Sequence, residues 1–318
     1  MSRIFVACQL PEEVNDLFRN SFRSSFNERG RTLSADELVD GCAGADGVVV
    51  TATDRLNTDV IDRLPPEIKV IATYSVGHEH IDLDAARRRR LAVLFTPDVL
   101  SGACADVAIL LMLGAARRVV ESIDLVRSGR WTGWNALQLI GREVYGQRLG
   151  ILGMGRIGRE VAKRARGFDM HVHYHNRRRL DPAVEAGATY HADLDDLMAV
   201  SNFLCIACPA GPGTRNLIDA DRLGKLPRSS IVTNISRGDV VDDAALVAAL
   251  ESGQVGAAGL DVFANEPDIH PAYRTLPNIF AVPHIGSATI ETRIAMGALA
   301  VRGLEAFFAG RVVESRLA

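Results

Sequence analysis

Residues 149 to 158 read Leu-Gly-Ile-Leu-Gly-Met-Gly-Arg-Ile-Gly and contain a G-x-G-x-x-G pattern formed by Gly153, Gly155 and Gly158. An apolar run precedes the pattern, and a segment with helical spacing, Arg159 to Phe168, follows it. A second apolar run, Met170 to Tyr174, comes next. The order strand, tight turn, helix, strand is the context in which this pattern binds the pyrophosphate of a dinucleotide. The alternative is an ordinary turn between strand and helix that holds no ligand.

Length and composition set the broad class. The chain has 318 residues, which suggests two domains of ordinary size. Its contents of 47% hydrophobic and 24% charged residues are those of a soluble globular protein. A formal net charge of −3 gives no reason to expect a nucleic-acid partner. The longest apolar stretch, Val107 to Ala116, is too short to span a bilayer, and the first residues read as a strand. We therefore expect a cytoplasmic protein without membrane contact.

Two local patterns favour structural roles. Cys205 and Cys208 form a C-x-x-C within an apolar run that ends at Pro209, and no second ligand pair is near. Buried strand cysteines are the better interpretation, and we predict no metal site. Four arginines, Arg87 to Arg90, follow a helical segment, where cations complement the helix dipole. A nucleic-acid patch is the less favoured alternative.

Strands and helices alternate in two separate series. The first series ends near residue 97, and the second begins at Leu149. An apolar helix, Ala105 to Arg117, is expected to connect them, and a long helix, Ile290 to Ala309, is expected to end the chain. Residues 119 to 146 show no regular period. Such alternation predicts an α/β fold with two doubly wound parallel sheets.

The end of the second strand after the glycine loop indicates which dinucleotide is bound. It reads Tyr174-His-Asn-Arg-Arg-Arg179, so Asn176, Arg177 and Arg178 stand where an acidic residue would bind the ribose hydroxyls of NAD. A carboxylate would repel a 2′-phosphate, whereas guanidinium groups pair with it. The sequence therefore predicts NADPH in preference to NADH. The alternative is a solvated basic loop.

Three ionisable residues each follow an apolar strand in the second series. They are Arg237, Glu266 and His284. Ligands of open α/β sheets bind at the carboxyl ends of the strands. His284 can supply a proton to a carbonyl oxygen, Glu266 can favour the protonated imidazole, and Arg237 can hold a carboxylate. The trio suits reduction of a 2-keto acid. A hydrolase would also need a nucleophile or a metal, and the sequence shows no nucleophile elbow or ligand cluster.

With these residues in order, the chain resembles the D-isomer-specific 2-hydroxyacid dehydrogenases over nearly its whole length. The matching segments are Tyr74-Ser-Val-Gly77 with His80-Ile-Asp82, Thr96-Pro97 with Ala105-Asp106, the glycine loop, Ser236-Arg-Gly238, Gly259-Leu-Asp-Val262 with Glu266-Pro267, and Pro283-His-Ile-Gly-Ser287. Within that family the sequence is most similar to glyoxylate/hydroxypyruvate reductases, as the segment Trp131-Thr-Gly-Trp134 also indicates.

The resemblance implies a fold and a set of roles. A Rossmann-like cofactor domain, residues 98–289, would be inserted in a flavodoxin-like substrate domain, residues 1–97 plus 290–318. Arg237, Glu266 and His284 would be catalytic. The substrate-binding residues would be Val76, Gly77, Arg237, His284, Ser287 and, from the neighbouring subunit of a homodimer, Trp134. The cofactor-binding residues would be Gly153, Gly155, Arg156, Ile157, Gly158, Asn176, Arg177, Arg178, Cys208, Pro209, Thr214, Ile235, Arg237, Asp261, His284 and Gly286.

Several alternatives stay open at this point. An NAD-linked dehydrogenase of another 2-hydroxy acid has the same motifs, and some dinucleotide-sensing corepressors share the fold. As separate alternatives, Trp131 and Trp134 only pack the dimer interface, and Asp261 only caps a turn. His78 and Glu79 stand where the family's substrate loop often has other residues, so the sequence does not define the 2-keto acid.

Overall fold

The computed structural model describes all 318 residues, which form two compact α/β units. One unit consists of Met1–Leu100 together with Ser287–Ala318, and the other consists of Ser101–Gly286. The chain therefore leaves the first unit, builds the second, and returns. The assignment of a substrate role to one unit and a cofactor role to the other stays a prediction at this point.

The first unit contains a five-stranded parallel sheet. Its strands are β1 (Arg3–Val6), β2 (Arg23–Phe26), β3 (Gly47–Val50), β4 (Val70–Thr73) and β5 (Ala92–Leu94). Its helices are α1 (Glu12–Ser21), α2 (Ala35–Gly41), α3 (Thr58–Arg63), α4 (Leu83–Arg88) and the C-terminal helix (Ile290–Phe308). The strand order β2-β1-β3-β4-β5 is that of flavodoxin-like sheets. Strands β3 and β4 are buried at every position, as an apolar run between two layers of helices requires.

Local chemistry fixes two of these helix ends. The N-terminus of α2 has a capping box, because the hydroxyl of Ser34 accepts the N–H of Glu37 while the Glu37 carboxylate accepts the N–H of Ser34. Within the four-arginine run, Arg89 donates from Nη1 to the carbonyls of Ile61 and Leu64 at the end of α3. One cation of the run thus satisfies the free carbonyl end of a neighbouring helix, which is a structural role.

The second unit contains a seven-stranded parallel sheet. Its strands are β6 (Arg148–Leu152), β7 (His171–His175), β8 (Thr189–Tyr190), β9 (Phe203–Ile206), β10 (Ser230–Asn234), β11 (Val255–Leu260) and β12 (Ile279–Ala281). Its helices are α5 (Ser101–Ala116), α6 (Val119–Arg127), α7 (Arg156–Ala165), α8 (Pro182–Glu185), α9 (Leu194–Val200), α10 (Ala220–Lys225) and α11 (Asp243–Glu251).

The strand order of this sheet is β12-β11-β10-β9-β6-β7-β8. From β6 the chain first builds outward through β7 and β8, and it then crosses back to place β9 on the other side of β6. This reversal is the topological switch point at which doubly wound sheets bind ligands. The order is that of a Rossmann-like sheet with one added strand, so the predicted fold class of two doubly wound parallel sheets is confirmed.

Helices cover both faces of the second sheet. Helices α5 and α7 pack on one face around Leu149, Ile151 and Met154, and α9, α10 and α11 pack on the other. Helix α5 is apolar all round because ten of its residues are buried against α7, β10 and β11. It starts at the boundary between the units, as expected of a connection, but it also forms part of the core of the second unit.

The structure contains regular elements that the sequence did not predict. Strand β2 lies at a sheet edge and has the sequence Arg-Ser-Ser-Phe, which has no apolar run to mark it. Helix α6 falls within the stretch that was expected to be irregular, and none of its residues is buried. Periodicity signals burial, so elements that bury little of their surface within one chain give a weak signal.

Candidate active site

The glycine loop joins β6 to α7 at the switch point. Gly153 has φ +94°, and a Cβ at this position would lie 2.5 Å from the backbone nitrogen of Cys208. A Cβ on Gly158 would lie 2.4 Å from the carbonyl oxygen of Gly153. A Cβ on Gly155 would meet nothing within 4 Å. The first and third glycines therefore allow close packing, and the second faces open space that a pyrophosphate can fill.

Backbone donors next to this space have no partner in the protein. The N–H of Ile157, in the first turn of α7, donates to no other group. Such groups at a helix N-terminus attract phosphate oxygens. Asn176, at the end of β7, accepts the N–H of Met154 at 2.7 Å and so joins the basic loop to the glycine loop. The residues present therefore fit a dinucleotide.

The segment after β10 is fixed by a buried amide. Asn234 is 1% exposed; its Oδ1 accepts the N–H of Ser236, and its Nδ2 donates to the carbonyl of Arg237. The Ser236 hydroxyl donates to the carbonyl of Cys208 after β9. A Cβ on Gly238 would lie 1.8 Å from the backbone carbon of Phe263, so only glycine allows the loops after β10 and β11 to touch. These contacts hold the backbone that carries Arg237.

Asp261 follows β11 and organises the segment after β12. Its carboxylate is 2% exposed and accepts the N–H of Ile285 at 2.6 Å and the N–H of Gly286 at 2.9 Å. Its own carbonyl accepts the N–H of His284 at 2.8 Å. His284 has φ +53°, a left-handed conformation that costs a non-glycine residue free energy and concentrates at functional sites. Three hydrogen bonds to Asp261 stabilise that conformation around His284.

His284 and Glu266 are joined by a side-chain hydrogen bond. Nδ1 of His284 lies 2.8 Å from Oε2 of Glu266, and Oε1 of Glu266 accepts the N–H of Phe263 at 2.8 Å. Because a carboxylate only accepts, Nδ1 of His284 carries the proton of this bond. Nε2 has no partner in the protein, and the imidazole side chain is 42% exposed. The ring is therefore oriented by Glu266 with Nε2 available to a substrate.

The site is electrostatically polarised. Burial would raise the pKa of Glu266, but the hydrogen bonds from His284 and from the Phe263 N–H outweigh it, with a further contribution from the Arg237 charge. The pKa of Glu266 is therefore lowered, and its carboxylate stays ionised beside the imidazole. The pKa of Asp261 is raised, mainly by burial.

The structure brings most of the predicted site residues together. The segments after β6, β7, β9, β10, β11 and β12 all lie at the carboxyl edge of one parallel sheet, and they carry the predicted residues of the second unit other than Trp134. Val76, Gly77 and Ser287 belong to the first unit. There, Val76 and Gly77 follow β4, and their N–H groups donate to no other group of the protein. The ligand roles of all these residues stay predictions.

Asn234 has a structural role that the sequence did not indicate, and Asp261 has the geometry of its stated alternative. Asn234 was not predicted, although a polar residue that ends an apolar strand is a signal of this kind. Asp261 was expected to orient the nicotinamide, and the alternative was a cap. The structure shows both of its carboxylate oxygens bound to the backbone after β12, which is the capping geometry.

The cysteines and the helices bear on the remaining expectations. Cys205 and Cys208 are buried and are not in disulfides, as predicted, but only Cys205 lies in a strand, β9, and Cys208 follows it. No group of three or more histidine, cysteine, aspartate or glutamate side chains is arranged to hold a metal ion. None of the helices combines the length and the apolar character that crossing a bilayer requires.

Comparison with known proteins identifies the family. Residues 109–286 match the family model described as D-isomer specific 2-hydroxyacid dehydrogenase, NAD binding domain. The chain is 39% identical over 318 residues to a glycerate dehydrogenase of Hyphomicrobium methylovorum, and the match covers 99% of each chain. The chain belongs to the D-isomer specific 2-hydroxyacid dehydrogenase family. It is therefore an NAD(P)-dependent oxidoreductase, and the corepressor interpretation is not supported.

Solved structures of D-2-hydroxyacid dehydrogenases agree with this fold. A crystal structure from Polaromonas sp., assigned to the same family, is 47% identical with a TM-score of 0.95 and full coverage of both chains (100% and 100%). An NADPH-dependent glyoxylate/hydroxypyruvate reductase of Sinorhizobium meliloti, solved with NADP and malonate, is 32% identical with a TM-score of 0.90, and the match covers 100% of this chain and 97% of that one. The predicted family and the predicted enzyme class are confirmed.

The lowered pKa of Glu266 predicts how its contribution to stability depends on pH. A carboxyl group whose pKa is lower in the folded state stabilises the fold above its unfolded pKa of about 4.3 and loses that effect as the pH falls through the folded value. The free energy of unfolding of the wild type should therefore exceed that of Glu266→Gln near pH 7. The difference, measured by urea unfolding, should shrink as the pH falls below about 4.3 and should be lost once the pH is below the folded pKa of Glu266.

Glu251→Gln is the control for this measurement, because Glu251 is exposed at the end of α11. That variant should match the wild type at every pH. A difference between the wild type and Glu266→Gln that is the same at pH 3 and pH 7 would contradict the stabilising role of the Glu266 charge.

Proposed function

We propose that this enzyme reduces small 2-keto acids of the glyoxylate and hydroxypyruvate type to D-2-hydroxy acids, with NADPH as the preferred cofactor. This proposal rests mainly on the Glu266–His284 pair, which lies at the same sheet edge as Arg237. In that pair Nδ1 of His284 is 2.8 Å from Oε2 of Glu266. The Sinorhizobium relative is named for both keto acids. The glycerate dehydrogenase is named for the alcohol that corresponds to hydroxypyruvate, so the two names describe compatible chemistry.

The proposed roles follow from charge. When bound, the reduced nicotinamide supplies a hydride to the carbonyl carbon of the substrate. His284 donates the proton from Nε2 to the carbonyl oxygen, where negative charge develops. Glu266 stabilises the protonated ring through Nδ1 and keeps it oriented. The Arg237 guanidinium holds the substrate carboxylate. The N–H groups of Val76 and Gly77, which donate to no other group of the protein, are proposed as anion donors of the first unit.

The cofactor preference rests on the loop after β7. Arg177 and Arg178 are exposed and make no ion pair in the protein, and the strand end carries no carboxylate. Two unpaired guanidinium groups at this position favour a 2′-phosphate. Glyoxylate/hydroxypyruvate reductase from Sinorhizobium meliloti is named as NADPH-dependent. The family model's description and the glycerate dehydrogenase relative keep an NAD-linked enzyme as the second candidate.

We also propose that this enzyme is cytoplasmic and that it forms a homodimer. Around helix α6 and the segment that follows it, the second unit exposes Trp134 (85% exposed), Leu137 (81%) and Val126 (62%). A cavity of about 330 Å³ beside them is lined in part by Val120, Ile140 and Phe280. Exposed apolar surface on this scale is typical of a protein–protein interface. Trp134 would reach the active site of the neighbouring subunit.

The proton-donor role makes a direct prediction. His284→Ala should lower kcat by about 10²–10⁴-fold, because positioned acid–base catalysis contributes that much. The dissociation constant for NADPH, measured by its fluorescence, should change less than about twofold, since the role of His284 lies in the transition state. Near-wild-type turnover of the variant would reject His284 as the donor.

A panel of 2-keto acids assayed with both cofactors tests substrate and cofactor together. We expect kcat/KM for glyoxylate or hydroxypyruvate to be about tenfold or more higher with NADPH than with NADH, as for a lost charged hydrogen bond. The amide of the same keto acid should react about 100-fold more slowly, because Arg237 loses its carboxylate partner.

The role of the basic loop is tested with the double variant Arg177→Gln and Arg178→Gln. In this variant the ratio of kcat/KM with NADPH to kcat/KM with NADH should be close to one. Arg127→Gln, an exposed arginine at the end of α6, should leave the ratio unchanged. Equal or better efficiency of the wild type with NADH would reject the cofactor assignment, and equal rates with acid and amide would reject the role of Arg237.

Mixing two inactive variants tests the role of Trp134. If Trp134 acts in the neighbouring site, a mixed dimer of Trp134→Ala and His284→Ala subunits contains one site with both residues intact. Co-refolded mixtures should then be more active than the mean of the two variants, and sedimentation should show two subunits per particle. Activity equal to that mean, or a monomer, would contradict this proposal.

A further inference from the structure

A buried carboxylate lies behind the basic loop and has no part in the chemistry described so far. Glu185 ends the short helix α8 and is 5% exposed. Its Oε1 accepts the hydroxyl of Tyr174 at 2.5 Å and Nε of Arg179 at 2.8 Å, while its Oε2 accepts Nη2 of Arg179 at 3.1 Å. These three hydrogen bonds hold the carboxylate in one position, because a buried charge without partners would cost the folded state free energy.

These contacts fix the far end of the loop Asn176–Leu180. Tyr174 is fully buried in β7, and its hydroxyl oxygen accepts the N–H of Leu180 at 3.0 Å while its proton goes to Glu185. The same hydroxyl therefore connects the carboxylate to the backbone where the loop ends.

The near end of the loop is held from the neighbouring strand. The hydroxyl of Tyr190 in β8 lies 3.3 Å from the carbonyl of Asn176, to which it donates. The guanidinium of Arg179 stands 5.8 Å from the centre of the Tyr190 ring. Arg179 thus contacts both the carboxylate and the aromatic ring, which draws it back onto the protein.

The three arginines of the loop therefore differ in whether they have an acidic partner. Arg179 is paired with Glu185, whereas Arg177 and Arg178 have no acidic partner in the protein. We infer that Glu185 is a positioning residue for cofactor specificity: through Tyr174 and Arg179 it fixes the loop so that Arg177 and Arg178 are presented to the 2′-phosphate. This inference rests on the proposed preference for NADPH.

The negative charge of Glu185, taken by itself, would weaken the binding of a 2′-phosphate. A carboxylate near an anion site weakens anion binding, so its removal should help a 2′-phosphate. In this structure, however, the charge of Glu185 is already matched by Arg179. The hydrogen bonds from Arg179 and then Tyr174 lower the pKa of Glu185, so the pair is ionised at neutral pH. The net effect of Glu185 is therefore geometric, and its loss releases the loop.

Equilibrium binding of two nucleotides separates these effects. The probes are 2′,5′-ADP, which carries the 2′-phosphate, and 5′-ADP, which lacks it, both titrated by calorimetry. For Glu185→Gln we expect about tenfold weaker binding of 2′,5′-ADP, in keeping with the loss of charged hydrogen bonds, and less than about twofold change for 5′-ADP. Tyr174→Phe keeps the ring, removes the hydroxyl and should act in the same direction. Glu251→Gln is the exposed control and should match the wild type.

Three outcomes would overturn the inference. Equal or tighter binding of 2′,5′-ADP by both variants would mean that the carboxylate acts only as a charge. Parallel weakening of both nucleotides would mean a merely structural role. A wild type that does not prefer 2′,5′-ADP would remove the premise, and this failure of the proposed function is visible without any variant. Turnover of keto acids at saturating NADPH should be unchanged in Glu185→Gln, which separates specificity from chemistry.

Discussion

The carboxylate of Asp261 holds together the part of the molecule to which we assign the chemistry. It is buried at the end of β11 and binds two consecutive N–H groups of the segment after β12, while the adjoining carbonyl binds the N–H of His284. Backbone N–H groups that turn toward one carboxylate satisfy both partners, which makes burial of this charge tolerable. The same bonds keep His284 in a left-handed conformation that the residue would not favour alone.

That conformation directs the imidazole toward Glu266. The segment after β11 carries both Asp261 and Glu266, so one loop fixes the backbone of His284 and also orients its ring. Asn234 performs the equivalent task for Arg237 on the adjacent strand. Each side chain to which we assign a catalytic role is thus held by a buried polar group at a strand end, which is the arrangement that precise positioning requires.

Much of this could be predicted from the sequence, and the reason differs from part to part. The two sheets followed from apolar runs that alternate with helices, because buried strands show a clear signal. The trio Arg237, Glu266 and His284 followed from charged residues directly after such runs. The edge strand β2 and the exposed helix α6 were missed because neither buries an apolar face. The pairing of Glu185 with Arg179 was not visible because it joins an acid in a short helix to one of three similar arginines.

The residues to which we assign the substrate chemistry and those to which we assign the cofactor preference lie far apart along the edge of the sheet. His284 follows β12 and Asp261 follows β11, whereas the basic loop follows β7, which lies four strands from β11 in the sheet. At about 4.8 Å between neighbouring strands, that spacing is about 19 Å. In the proposed function, charge at one end of this edge would act on the substrate, and charge at the other would act on the 2′-phosphate of the cofactor. The hydrogen bonds of Glu185 with Tyr174 and Arg179 involve none of the groups that hold His284. We therefore expect a change at Glu185 to alter which dinucleotide is preferred while the geometry around His284 stays as it is.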